Sequence, residues 1–163
     1  MPAAGVSSTM SKHSHTGLIK GLGYAGLIPF AASALASYLG LSFLGLDAAR
    51  WFSGYSAVIL VFLSGSLWGL VLGKAGSNLN LLLLAFSNAM ALFVWLALGL
   101  AENYYLLCLV LLMVGYAVVL GIEIVCVDLL YDEVEADYLT MRLILTTLVI
   151  VLHATTAVAV FSK

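Results

Sequence analysis

Two carboxylates and a guanidinium fall inside stretches that are otherwise apolar. Glu123 and Asp128 lie between Tyr104 and Tyr131, and Arg142 opens the apolar run that follows. An ionised carboxylate at bilayer depth costs roughly 2.5–3.5 kcal/mol on the mildest scale, so it faces inward, finds a partner or takes up a proton. Two chemistries follow from such a group. Glu123 and Arg142 pair as a lock that holds helices together, or they form the polar end of an inward-facing cavity for a ligand, an ion or a proton. Asp128 lies nearer the surface and competes for the same guanidinium.

Other reactive side chains do not converge. His153 sits among Val, Leu, Ala and Thr near the middle of the last apolar run, and it reads as a satisfied packing residue. A metal or haem ligand needs a second ligand at matching depth, and none is evident. The sequence holds no Ser/His/Asp set, no paired-carboxylate site with a base and no phosphate loop. Gly21, Gly23 and Gly26 mimic a dinucleotide fingerprint, but no strand precedes them, and they read as helix-packing positions. Cys108 and Cys126 share one helix-forming run at roughly 27 Å separation, too far to bridge within it. The expectation is a non-enzymatic protein without cofactor or metal. Net charge is −2 with no basic stripe, which argues against a nucleic-acid partner.

The solvent of this chain is hydrocarbon. Of 163 residues, 64% are hydrophobic and 9% charged, against roughly 25% charged in soluble domains. A core of ~30 Å needs about 20 apolar residues per helix. Five runs meet that length, at 17–41, 54–73, 79–100, 104–130 and 139–161. Backbone groups in lipid must be satisfied internally, so runs of this length are helices. Short breaks make chain neighbours antiparallel and adjacent. The expected fold is all-α, an integral membrane bundle of five antiparallel transmembrane helices, preceded by a flexible segment over 1–16. Lys12, Lys20, Lys74 and Arg142 lie on one side, Arg50 and Lys163 on the other, which puts the N-terminus inside. The acidic loop from Asp132 to Asp137 then also lies inside, as a solvated turn or a patch for a basic partner.

Position along each run estimates depth. Glu123 and Tyr24 fall ~10 Å from the inner surface, Trp68 ~8 Å, Asn88 ~13 Å and Arg142 ~5 Å. Each helix thus offers one polar or amphipathic residue to the inner half. The simplest arrangement pairs Glu123 with Arg142, with Tyr24, Trp68 and Asn88 as further donors. Gly65, Gly69 and Gly73 form a small-residue row on the second run, and Gly17 and Gly21 begin another on the first. Such rows let helix backbones approach closely. Internal packing is the simpler use of these rows, and contact with another membrane subunit is the alternative. Pro29 should bend the first helix near its centre.

Three segments, taken in order, resemble a known family. They are LGYAGLIPF (Leu22 to Phe30), YSAVILVFLSGSLWG (Tyr55 to Gly69) and YLTMRLILT (Tyr138 to Thr146). The ordered set is similar to an uncharacterised multi-pass membrane family that includes mitochondrial transmembrane protein 69 and its proteobacterial homologues. Pro29, Trp68 and Arg142 are the positions that match. Members often carry a basic or imidazole residue just before the Trp, where this chain has Leu67. The resemblance implies a five-helix protein of a bacterial or mitochondrial inner membrane and adds no established activity. Two functions remain in view. One is an accessory or assembly subunit of a larger membrane complex. The other is a binder or carrier of a small hydrophobic or ionisable ligand, through a cavity around Glu123.

Overall fold

The computed structural model describes residues 17–18, 20–72, 78–130 and 136–162, with the side chains at 128, 129, 136 and 137 excepted. The segment 1–16, Gly73 and the acidic residues at 132–135 lie outside the described residues. So do the side chains of Asp128 and Asp137.

Long apolar runs become long helices. In chain order these are α1 (Leu27–Tyr38), β1 (Ser42–Phe43), β2 (Leu46–Asp47), α2 (Ala48–Leu72) and α3 (Asn78–Gly99), then α4 (Tyr105–Val125), α5 (Val127–Leu130) and α6 (Ala136–Phe161). Among the described residues, four helices are long and apolar enough to cross a membrane: α2, α3, α4 and the part of α6 from Tyr138 onward. Their outward faces are apolar, with Phe62, Trp95 and Val125 exposed, while Ser56, Ser64, Glu123, Arg142 and His153 are buried. Polar groups inside and apolar groups outside is the distribution of a membrane protein.

The first apolar run departs from the expected unbroken span over 17–41. Residues 20–25 are helical, a turn falls at Gly26, and α1 proper ends at Tyr38. The reason lies at Pro29. It has no N–H to give the carbonyl of Ala25, one turn earlier, so the backbone loosens just before it. Gly26 N–H still reaches the carbonyl of Leu22 at 3.0 Å, which keeps the two halves joined.

The end of α1 is closed by its own backbone. Gly40 takes φ 70°. Its N–H donates to Ser37 O at 3.1 Å, and Leu41 N–H donates to Ala36 O at 2.9 Å. This is a Schellman cap, which needs a residue without Cβ at the left-handed position. The chain then makes a two-residue hairpin with Ser42 opposite Asp47 and Phe43 opposite Leu46. Its turn residues, Leu44 and Gly45, have φ of 51° and 77°, the backbone that matches strand twist in a tight hairpin. Helix α2 follows at once and so begins at Ala48 rather than Gly54, which places Arg50 on its first turn.

Helix α2 is central. It packs against α1, α3 and α4, while α6 closes the bundle against α1 and α4. The α2–α4 contact depends on Gly115, where an added Cβ would fall 2.6 Å from Leu60 Cδ2. Phe30, Phe52, Leu60, Leu112 and Tyr116 fill the centre. The expected glycine row does not serve this packing. Gly65 and Gly69 have nothing within 4 Å of the place a Cβ would occupy, and both face outward. Small size on a helix permits close approach, but only where a neighbour stands on that face.

Candidate functional site

Glu123 lies on the last turn of α4, and Arg142 lies two turns into the antiparallel α6. The guanidinium donates through Nε at 2.8 Å and Nη2 at 2.7 Å, both to Oε2. The other oxygen, Oε1, accepts from the Tyr138 hydroxyl at 3.0 Å. Tyr138 and Arg142 are four residues apart and therefore share one face of α6. Glu123 is 2% exposed and Arg142 7%. At that burial the charges are costly to separate, since removing one partner of a buried pair costs about 3–5 kcal/mol.

The structure brings Glu123 and Arg142 together but leaves the other three expected donors aside. Tyr24 is 44% exposed and Trp68 42%, and Asn88 Nδ2 donates to its own helix at Leu84 O, 2.9 Å away. Depth alone had grouped these residues. Each successive residue turns about 100° around a helix, and these three point outward. Tyr138 takes the place assigned to them. Its spacing from Arg142 was the available signal, because an i, i+4 pair presents two donors to one acceptor.

A second polar node lies at the centre of the bundle. His153 Nδ1 is 2.8 Å from Val149 O, a carbonyl that only accepts, so Nδ1 carries the proton. Nε2 therefore accepts from the Ser56 hydroxyl, 2.8 Å away. The Tyr116 hydroxyl donates to the Ser56 carbonyl at 2.8 Å. Phe52 meets the imidazole edge-on, with ring centres 4.7 Å apart. Both ring nitrogens are thus used, and His153 is a satisfied packing residue that ties α6 to α2. Among the described residues no three His, Cys, Asp or Glu side chains converge as a metal site.

Between these two nodes the helices part. A cleft of about 360 Å³ lies between the helical stretch before Gly26, α2 and α6, with Phe30 and Tyr116 at its deep end and Tyr138 and Arg142 along its wall. Its origin is local. The Tyr55 hydroxyl, on α2, donates to Gly26 O at 3.0 Å, and Phe30 meets Tyr55 edge-on at 4.9 Å. Those contacts draw α1 onto α2. Before Gly26 the chain leans on α6, where a Cβ on Gly23 would lie 3.1 Å from Leu145 Cδ1. Ile59, Leu63 and Ser66 of α2 are left lining open space. At the opposite end of the bundle a hollow of about 380 Å³ opens beneath the hairpin beside Asp47, Arg50 and Tyr105. Arg50 and Asp47 there are exposed, so that hollow has no buried charge on its wall.

No curated protein and no solved structure matches the chain. A family model described as a protein of unknown function, DUF3429, matches residues 17–158. That match takes in the interrupted first helix, the cleft, Glu123 and Arg142, and the chain belongs to the DUF3429 family.

Proposed function

We propose that this chain is a non-enzymatic membrane protein of five spanning helices that binds a small apolar or amphipathic molecule in the cleft beside Arg142. The carrying observation is that one wall of an apolar cleft is formed by Arg142 and Tyr138, the residues that hold Glu123. Ligand sites are mostly apolar concavities of about 300–1,000 Å³ with a few convergent polar groups, and this one falls at the small end. Its size argues against a macrocycle. Helix α1 with the helical residues before Gly26 supplies the fifth span, and the placement of Lys and Arg supports an N-terminus inside. The resemblance to the mitochondrial and proteobacterial family supports an inner membrane as its location.

The test is photolabelling of the purified full chain in lipid nanodiscs with an alcohol that bears a chain diazirine. Labelled peptides should map to 22–30, 59–66 and 138–149, and Leu63→Trp, which fills the cleft, should abolish them. Labelling spread evenly over the outer helix faces and unmoved by that variant would remove this reading.

A second reading is an accessory subunit of a larger membrane complex. It is favoured by Gly65 and Gly69, which leave a shallow strip on the outer face of α2. Purification in mild detergent should then yield a heteromer that Gly65→Leu disperses. A lone monomer with either sequence counts against it.

A further inference from the structure

Resting on the cleft reading above, we infer that its ligand is an uncharged single-chain amphiphile whose head, an alcohol, ester or ketone oxygen, accepts a hydrogen bond from Arg142. Four features of the site lead there.

The first is charge. Arg142 lines the cleft while only 7% exposed. Its positive charge is already met by Glu123, through Nε and Nη2 on a single oxygen. A carboxylate head would add a second negative charge beside a guanidinium that Glu123 already balances. Desolvating that charge without a free countercharge is costly. A cationic head would meet Arg142 first. A neutral acceptor meets neither objection.

The second is what the wall presents. Glu123, the acceptor of the cluster, is not part of the lining. A guanidinium carries five N–H donors, and the contacts to Oε2 use one on Nε and one on Nη2. The Thr146 hydroxyl lies one turn further along the same wall. The site therefore offers donors to a ligand that brings an acceptor.

The third is orientation. Along α6 the lining runs from Tyr138 and Arg142 to Leu145 and Val149, and the deep end is closed by Phe30 and Tyr116. Polar groups lie toward the end of the bundle and apolar ones toward its middle. A membrane amphiphile in the adjoining leaflet has the same order, head outermost and chain inward.

The fourth is access and size. Leu22 and Phe62 line the cleft and are also exposed on the outer face. The mouth is therefore apolar and opens sideways between helices, which suits entry from the bilayer. At about 360 Å³ the space suits one chain and is too small to seat both chains of a phospholipid.

The experiment uses the full chain in phosphatidylcholine nanodiscs, labelled with a decanol that carries a diazirine and an alkyne. Unlabelled decanol, methyl decanoate, decanoate and decyltrimethylammonium compete at equal mole fraction in the bilayer, at a pH where the carboxylate is ionised. Decanol and methyl decanoate should displace the label from the cleft peptides, and the two ions should compete about tenfold more weakly. The paired variant Glu123→Gln with Arg142→Met, which leaves no lone charge, should narrow that difference. Decanoate competing as well as decanol overturns the head chemistry and leaves the cleft as a site. Label that avoids the cleft, or that Leu63→Trp does not reduce, overturns both.

Discussion

Arg142 holds Oε2 of Glu123 with Nε at 2.8 Å and Nη2 at 2.7 Å, and Tyr138 donates to the other oxygen at 3.0 Å. The carboxylate is thus divided between two donors one helical turn apart on α6. This division orders the expected effects of losing each partner.

Glu123→Gln removes the countercharge and leaves Arg142 buried. The expected loss is about 3 kcal/mol, read as a lower thermal midpoint in detergent. Adding Arg142→Met should recover part of that loss, because the uncharged Gln–Met pair of similar volume carries no stranded charge. An unchanged midpoint for Glu123→Gln would show that the pair does not hold α4 to α6.

Tyr138→Phe removes one donor to a charged acceptor but keeps the ring. Its expected cost is about 1.5 kcal/mol, smaller than that of Glu123→Gln in the same melting assay. The reverse order would mean that the hydroxyl, rather than the guanidinium, holds the carboxylate.

At the central node, Ser56→Ala takes the donor from His153 Nε2, and His153→Phe takes the acceptor from Ser56. Each should cost about 1–3 kcal/mol. Made together, they should cost less than their sum, since groups that share a bond are not additive. Strict additivity of the two melting shifts would contradict the 2.8 Å contact.

Glycines that look alike in the sequence should differ in tolerance. Gly115→Ala brings a Cβ against Leu60 and should destabilise by about 1–3 kcal/mol. Gly65→Ala and Gly69→Ala meet open space and should leave the detergent-solubilised protein at its original midpoint or slightly above it. Equal loss at all three sites would place a neighbour on the outer face of α2.

The Glu123–Arg142 pair was legible because two opposite charges stranded in adjacent apolar runs have few other solutions. The long helices were legible for a similar reason, since hydrocarbon allows little else for such a backbone. Direction around each helix was not legible. An apolar face in lipid carries no polar marker, so the usual amphipathic signal is lost, and Tyr24, Trp68 and Asn88 could be placed by depth but not by side. The hairpin at 42–47 was hidden because its turn uses Leu44 at φ 51°, a conformation a leucine does not advertise. Pro29 announced a bend, but the Tyr55 hydroxyl that meets the Gly26 carbonyl beside it comes from another helix. The cleft is a product of that contact together with the packing of Gly23 against Leu145 of α6, and neither can be read along one strand of text.

Every long-range polar tie described above that reaches the bundle's buried groups through a charge or an imidazole is supplied by α6. Arg142 and Tyr138 reach back to α4, and His153 reaches back to α2. During synthesis, a chain stopped short of residue 136 would hold Glu123 without these two donors and Ser56 without its imidazole. Loss of the last helix would thus be felt at both ends of the buried polar network at once, as an acid without its countercharge and a hydroxyl without its acceptor.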